Sequence, residues 1–256
     1  MKLTGYVSAS LANDLYKIKN LIGSEKYFSI YAAMIETIDN TYQPTKTDYI
    51  IHALGDKVRE EYLSELEDGD YKYIITVNPN KNEWEIWVNR ANYYLYKEII
   101  TNYKPVLETS YYIVWEKQPE IEPEICNVTY EINKISEYKS EVTFKVGNVN
   151  IEINNNKYLD VEISYSIQNI NNIKSLATMK NIIAVYDYKS SVLEKNPFYQ
   201  ALYGIPAINN TINLPVYIDE NEEWKIVFDC LPNDTCSLNI DNVKINGLLP
   251  DYYYKY

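Results

Sequence analysis

The chain has 256 residues, with 36 acidic against 24 basic side chains, and its net charge of -12 disfavours indiscriminate binding to nucleic acid phosphates or anionic membrane surfaces. The length suits one large domain or two ordinary ones, at about 100 to 200 residues each. Cys126, Cys230 and Cys236 are odd in number and form no CxxC pair, so neither a disulfide framework nor a zinc ribbon is signalled and reduced thiols are expected.

No run of about 18 apolar residues occurs, and the opening MKLTGYVSASLANDLYKIKN lacks an apolar core ahead of a small-residue cleavage site, so a soluble cytoplasmic product is expected. Ser10 can cap a first helix with Leu11, Leu15, Ile18 and Ile22 on one face and Gly23 as its stop. Ser24 can cap a second at once, its broad stripe Tyr27, Ile30, Tyr31, Met34, Ile35 and Ile38 predicting burial on two sides. Thr47 opens a third, with Ile51, Leu54, Val58, Tyr62 and Leu66 inward, before Gly69. The period then changes to two. Tyr71, Tyr73, Ile75 and Val77 lead to Asn78-Pro79-Asn80, and Trp84, Ile86 and Val88 predict the returning strand of a hairpin. Arg90 to Tyr103 reads as a helix stopped by Lys104-Pro105, and Thr109, Tyr111, Ile113 and Trp115 resume alternation. Residues 118–125 hold two prolines and three carboxylates and read as a linker between a helical domain with a hairpin, 1–117, and an antiparallel β domain, 126–256.

In the second part, Val142, Phe144 and Val146 lead into Gly147-Asn148, with Val149, Ile151 and Ile153 beyond, the pattern of a hairpin with a primed turn. Leu159, Val161, Ile163, Tyr165 and Ile167 form another alternating strand, with Asp160, Glu162, Ser164 and Ser166 on its wet face. Ile182 to Tyr188 is a strand, Asn196-Pro197 opens a short helix, and Pro215 marks Ile212 to Ile218 as an edge strand. Trp224 to Cys230 and Cys236 to Ile240 are strands, and Asp241-Asn242 predicts a tight turn before Val243 and Ile245. Turn signals every 8 to 12 residues or so suit a sandwich or barrel. The fold class is therefore α+β, an N-terminal helical layer with a β-hairpin insertion followed by a mostly antiparallel β-sandwich or barrel-like domain.

Few constellations point to chemistry. His52 is the sole histidine, one helical turn from Asp56, and a surface pair is the simpler reading than catalysis. Glu60-Glu61 and Glu222-Glu223 are adjacent carboxylates on solvated ground without a glycosidase cleft. Asp229, Asn233, Asp234 and Asp241 could gather on calcium but lack the order of a known calcium loop, and Cys230 and Cys236 could face each other across a turn, with buried thiols the favoured reading. No nucleotide, zinc-protease or serine-hydrolase signature occurs, so no catalytic residue, metal or cofactor is assigned. The 28 tyrosines against 4 phenylalanines leave exposed rings as candidate interface chemistry: Tyr111 and Tyr112, where adjacent strand residues must face opposite ways, and Tyr252, Tyr253, Tyr254 and Tyr256 in an aromatic tail.

In layout, a short helical body from Leu11 to Leu66, a hairpin from Tyr71 to Val88, a β domain and an aromatic tail, in a composition of A- and T-rich coding, the chain resembles ring or connector proteins of tailed-phage necks. The resemblance covers the outline and transfers no residue. It implies a homo-oligomeric structural protein of the virion, assembled in the host cytoplasm, that binds itself and other structural proteins, with no catalysis, membrane or sequence-specific nucleic acid. A carbohydrate-binding or adhesion module displaying Tyr, Trp and Asn is the alternative, and an acidic hydrolase ranks after it.

Overall fold

Ser8 caps a helix, its hydroxyl accepting from the Leu11 amide at 3.1 Å. The computed structural model describes residues 8–31, 35–36, 47, 49–81, 85, 88–89, 91–121, 124, 127–146, 157–169, 182–189, 201–202, 210–218, 223–231, 236–250 and 252. The cap belongs two residues ahead of Ser10, and Gly23 ends helix α1, Ala9–Ile22, with φ of 59°, a conformation that favours glycine. By its internal contacts the chain divides into Met1–Glu122 and Pro123–Tyr254.

The first unit is a four-stranded sheet of β1 (Tyr27–Ser29), β2 (Tyr73–Val77), β3 (Tyr103–Glu108) and β4 (Tyr112–Lys117), in the order β1-β2-β4-β3. Leu15, Ile18 and Ile22 of α1 cover one face, packed with Tyr73, Ile75, Tyr112 and Val114. On the other face, Phe28 pairs in register with Ile74 and Ile74 with Trp115, and the Phe28 ring meets Tyr62 of helix α2, Asp56–Asp68, edge to face at 5.5 Å. Helix α3, Tyr93–Asn102, runs directly into β3.

Three expectations change here. The second helix does not begin at Ser24: Tyr27–Ser29 forms a strand parallel to β2, pairing in register with Tyr73–Ile75, and Phe28 and Ser29 are both buried. The third helix starts at Asp56, behind Gly55 at φ of 82° and a short 3-10 turn at Ile50–His52, and Leu54 is 71% exposed. The hairpin at Tyr71 to Val88 is also overturned. β2 pairs with β1 and β4, while Glu85, Val88 and Asn89 are helical, so the partner of β2 comes from a distant stretch that local alternation cannot identify. Trp84 and Ile86 lie outside the described residues.

The second unit holds two sheets. One is ordered β5-β6-β11-β8-β9, from β5 (Val128–Ser136), β6 (Lys139–Val146), β8 (Ile182–Lys189), β9 (Ala201–Leu202) and β11 (Trp224–Leu231); the other is β10-β7-β12, from β7 (Lys157–Asn169), β10 (Thr211–Ile218) and β12 (Cys236–Leu248). All described pairings within it are antiparallel, giving with the first unit a mixed α+β fold with a β-rich body. β10 lies at an edge, as Pro215 requires. Asp241-Asn242 is not a turn: β12 continues for 13 residues and absorbs the irregularity as a register shift between Ile240 and Asn242, where the Asp241 carboxylate takes the Ser166 hydroxyl at 2.9 Å. Cys230 and Cys236 are joined, with Cα atoms 6.6 Å apart, which corrects the expectation of free thiols. β11 ends in one sheet and β12 begins in the other, and this crossing brings the two cysteines together. The Gly147-Asn148 turn, residues 149–153 and the Asn196-Pro197 helix lie outside the described residues.

Candidate functional site

Tyr112 is 4% exposed and belongs to the core on the α1 face, and Tyr111 packs partly buried against the same cluster. The rule of opposite faces does not apply because Tyr111 precedes the strand. Thr109 closes the turn, its hydroxyl accepting from the Tyr112 amide at 2.9 Å, and the backbone bend at Tyr111 lets both rings turn inward, 6.5 Å apart. Burial pushes the Tyr112 hydroxyl well above its ordinary range, and Tyr31, Asp14, Glu36 and Glu85 push it the same way.

The start of the tail docks within its own unit. Leu248 and Leu249 are buried, and their amides donate to Glu124 O at 2.9 Å and Tyr158 O at 2.8 Å. Tyr252 is half-buried. Tyr253, Tyr254 and Tyr256 lie outside the described residues.

The remaining sequence candidates separate in space. Asp56 pairs with Arg59 at 3.5 Å and Glu61 with Lys57 at 3.8 Å, while the His52 ring meets Tyr49 edge to face at 6.2 Å. Asp229 pairs with Lys139 at 3.6 Å and Asp241 with Ser166, so the two take different partners; Asn233, Asp234 and Glu222 lie outside the described residues. Glu223 pairs with Lys145 at 3.2 Å. Among the described residues no group of three or more His, Cys, Asp or Glu is arranged to hold a metal ion, and no helix is long and apolar enough to cross a membrane.

Two features were not singled out from the sequence. In the first unit, Asp14, Glu36 and Glu85 are buried acids that act electrostatically on the same tyrosine, Tyr112. Burial pushes the Glu36 carboxyl up to about 7, and its Oε1 has no hydrogen-bond partner. Burial also raises Glu85, while the Tyr49 hydroxyl, donating at 3.1 Å, works against that rise. Asp14 sits among the apolar residues of α1, Glu36 after Ile35 and Glu85 between Trp84 and Ile86; acids set into apolar runs were the available signal. The raised carboxyls of Glu36 and Glu85 are a property of the desolvated interior rather than of a surface open to substrate.

The second feature is β5, at the edge of the five-stranded sheet and solvent-facing along most of its nine residues. Its registers set Tyr130 opposite Phe144 and Ile132 opposite Val142, and β11 continues the same rows with Trp224 and Ile226. Cross-strand partners share a face, so Tyr130 and Ile132 stand on the apolar face that is buried at β6 and β11. At β11 that face meets Tyr165 of β7, whose ring is 6.2 Å from Phe228; at β5 the cover runs out, leaving Tyr130 40% and Ile132 43% exposed. Ile135, at the register shift near Ser136, is 52% exposed. The alternation of this stretch was legible, but which strand would end the sheet was not. Compared with protein-family models, with curated proteins and with solved structures, the chain matches none.

Proposed function

We propose that the chain is a non-enzymatic structural and assembly protein, a virion component of a phage neck or tail that forms a homo-oligomeric ring and binds neighbouring structural proteins. One observation carries this reading: a nine-residue edge strand, β5, that leaves Tyr130, Ile132 and Ile135 uncovered. An open row of amides and carbonyls recruits another strand, and of the devices that blunt such edges β5 has charges at Glu131 and Lys134 and the irregularity beside Ile135, but no proline in its nine residues. A protein whose role is assembly uses such an edge. On this reading the second unit is a sandwich, with Val142, Phe144, Ile226 and Phe228 against Leu159, Val161, Ile163 and Tyr165. Its partners are further copies and other structural proteins, and neither a membrane nor a specific nucleic acid sequence is read. A Cys230–Cys236 bridge suits a particle assembled in host cytoplasm and then released to oxidising surroundings.

Light scattering on the purified protein tests the proposal. A discrete oligomer, or co-assembly with other virion proteins, is expected. A monomer at every concentration that binds selected sugars on a glycan array overturns it and installs the carbohydrate-binding reading.

A further inference from the structure

We propose that the Cys230–Cys236 bridge is a gated redox switch: it exchanges electrons with small thiols only when the tip of the β5–β6 hairpin lifts, and its state sets how firmly that tip holds the start of β12. The gate is built first from backbone. β5 and β6 pair as far as Ser136 and Lys139, so Glu137 and Tyr138 form the two-residue tip between them. The Tyr138 carbonyl accepts from the Cys230 amide at 2.9 Å, and the Glu137 carbonyl accepts from the Leu238 amide at 2.9 Å. One tip therefore holds the chain on both sides of the bridge.

Side chains of the same hairpin complete the hold. The Lys134 ammonium donates to the Leu238 carbonyl and to Asn239 Oδ1, the latter at 2.9 Å, and the Ser140 hydroxyl donates to the Leu238 carbonyl at 3.4 Å. Leu238 lies on β12, an edge of the three-stranded sheet, two residues beyond Cys236. Both its amide and its carbonyl are taken by the hairpin of the other sheet, so this corner joins the two sheets through Leu238 and through the bridge. The hold from Lys134 is charge-assisted, which makes it the strongest single contact that a lifting tip must break.

Access then decides the chemistry. Cys230 alternates with Ile226 and Phe228, Cys236 alternates with Leu238, and both cysteines are 0% exposed. Thiol–disulfide exchange needs a thiolate to reach one sulfur, and the closed corner presents neither. With the tip lifted, a thiolate of a low-molecular-weight dithiol bonds to one sulfur and expels the other as a thiolate, which takes a proton. The second thiol of the reagent closes its own ring and expels the first protein sulfur, so two electrons pass to the protein. A low-molecular-weight disulfide restores the bridge by the reverse steps. Reduction removes the covalent tie between β11 and the start of β12 and leaves the tip to hold that corner by hydrogen bonds alone. A docked tip protects the bridge and the bridge favours a docked tip, which are two sides of one linkage.

Reduction of the native full chain, followed by peptide mass spectrometry, tests the gate. The protein is pulsed with dithiothreitol and then iodoacetamide, and alkylation is read at residues 230 and 236. In buffer the wild type should react about a hundredfold more slowly than in urea. Lys134→Met keeps the apolar stem at an exposed position and removes the ammonium, and should speed reduction about tenfold, while Glu131→Gln on the same strand leaves the rate unchanged. Hydrogen exchange reads the reciprocal arm: the Cys230 and Leu238 amides should exchange about tenfold faster in the reduced chain, with the Ile30 amide of the first unit unchanged. Reduction as fast in buffer as in urea removes the gate, a wild-type rate in Lys134→Met removes the hairpin as its bar, and equal exchange at Leu238 in both redox states removes the switch. Any one of these overturns the proposal, as does finding both thiols free in air-oxidised protein.

Discussion

The two units bury their polar groups differently. In the second unit Glu141 takes Lys225 at 3.1 Å and Thr143 at 3.2 Å, and Asp160 takes Asn246 at 2.9 Å, while Asp229 Oδ1 and the Trp224 indole nitrogen are buried without a hydrogen-bond partner. In the first unit Glu36 has an oxygen without a partner, and the hydroxyls of Tyr94 and Tyr96 are buried without hydrogen bonds. A core filled with tyrosine gains apolar area comparable to phenylalanine but must also desolvate a hydroxyl, at about 1 to 3 kcal/mol where no partner is found. The second unit fills its interior mainly with aliphatic residues, joined by Phe144, Phe228, Tyr165 and Trp224, and leaves Tyr130, Ile132 and Ile135 exposed at a sheet edge. The buried carboxyls that desolvation raises, Glu36 and Glu85, thus lie in the first unit, and the edge on which the proposed association rests lies in the second.

The comparison assumes that apolar packing is equally firm in both, and this carries the largest expected effect. Phe28 in the first unit and Phe228 in the second are both fully buried, so Phe28→Ala and Phe228→Ala should each cost about 3 to 5 kcal/mol in urea unfolding. If Phe28→Ala costs less than about 1 kcal/mol, the first unit lacks a packed centre and the contrast in polar burial has another origin.

Next comes a proton. Glu36 has its carboxyl pushed up to about 7 in the folded chain against 4.5 ordinarily, so between those values the folded state binds a proton that the unfolded state has lost. Its contribution is complete below about pH 4.5, falls as pH rises through that window and is gone above about 7. Glu36→Gln keeps the neutral form at every pH and should exceed the wild type by about 2 to 3 kcal/mol at pH 8, with little difference at pH 4. Parallel stability curves for the two proteins would remove the proton linkage assigned to Glu36.

The bridge sharpens the contrast from the other side. Cys230 and Cys236 close a short loop between the two sheets of the second unit, and chain-entropy reasoning assigns such a closure about 2 kcal/mol. Cys230→Ser with Cys236→Ser should lower stability by that amount and leave the pH dependence due to Glu36 in place. Equal melting curves with and without reductant would show that the bridge contributes nothing.

Local pattern made much of the second unit readable: β7, β10 and β11 follow their alternating residues closely, and Pro215 marked β10 as an edge. α1 was readable from its stripe and Gly23. What failed depended on distant partners. Phe28 becomes a strand residue because Ile74 lies beside it, and Tyr112 is buried because Leu15 and Ile18 cover it. The uncovered edge at β5 is the same kind of fact: Tyr130 and Ile132 look like any inward-facing pair until the order of strands leaves them beyond their cover.

The smallest expected effect concerns His52, which sequence spacing paired with Asp56. Asp56 instead lies at 3.5 Å from Arg59, one turn along α2, and the two residues before Asp56, Leu54 and Gly55, leave the helical path that the spacing argument assumed. His52 itself is exposed and sets its ring edge against Tyr49, the residue whose hydroxyl donates to the buried Glu85. An exposed substitution at such a position is worth within about 0.5 kcal/mol, so His52→Gln should leave urea unfolding and the oligomeric state unchanged. The variant tests whether the buried acids of the first unit are insulated from its surface. The Tyr49 hydroxyl donates to Glu85 at 3.1 Å, so loss of the imidazole should not turn the ring or alter the pH dependence that Glu36→Gln removes. A loss above about 1 kcal/mol, or a shifted pH profile, would mean that His52 holds Tyr49 in place and that the acid cluster extends to the surface through it.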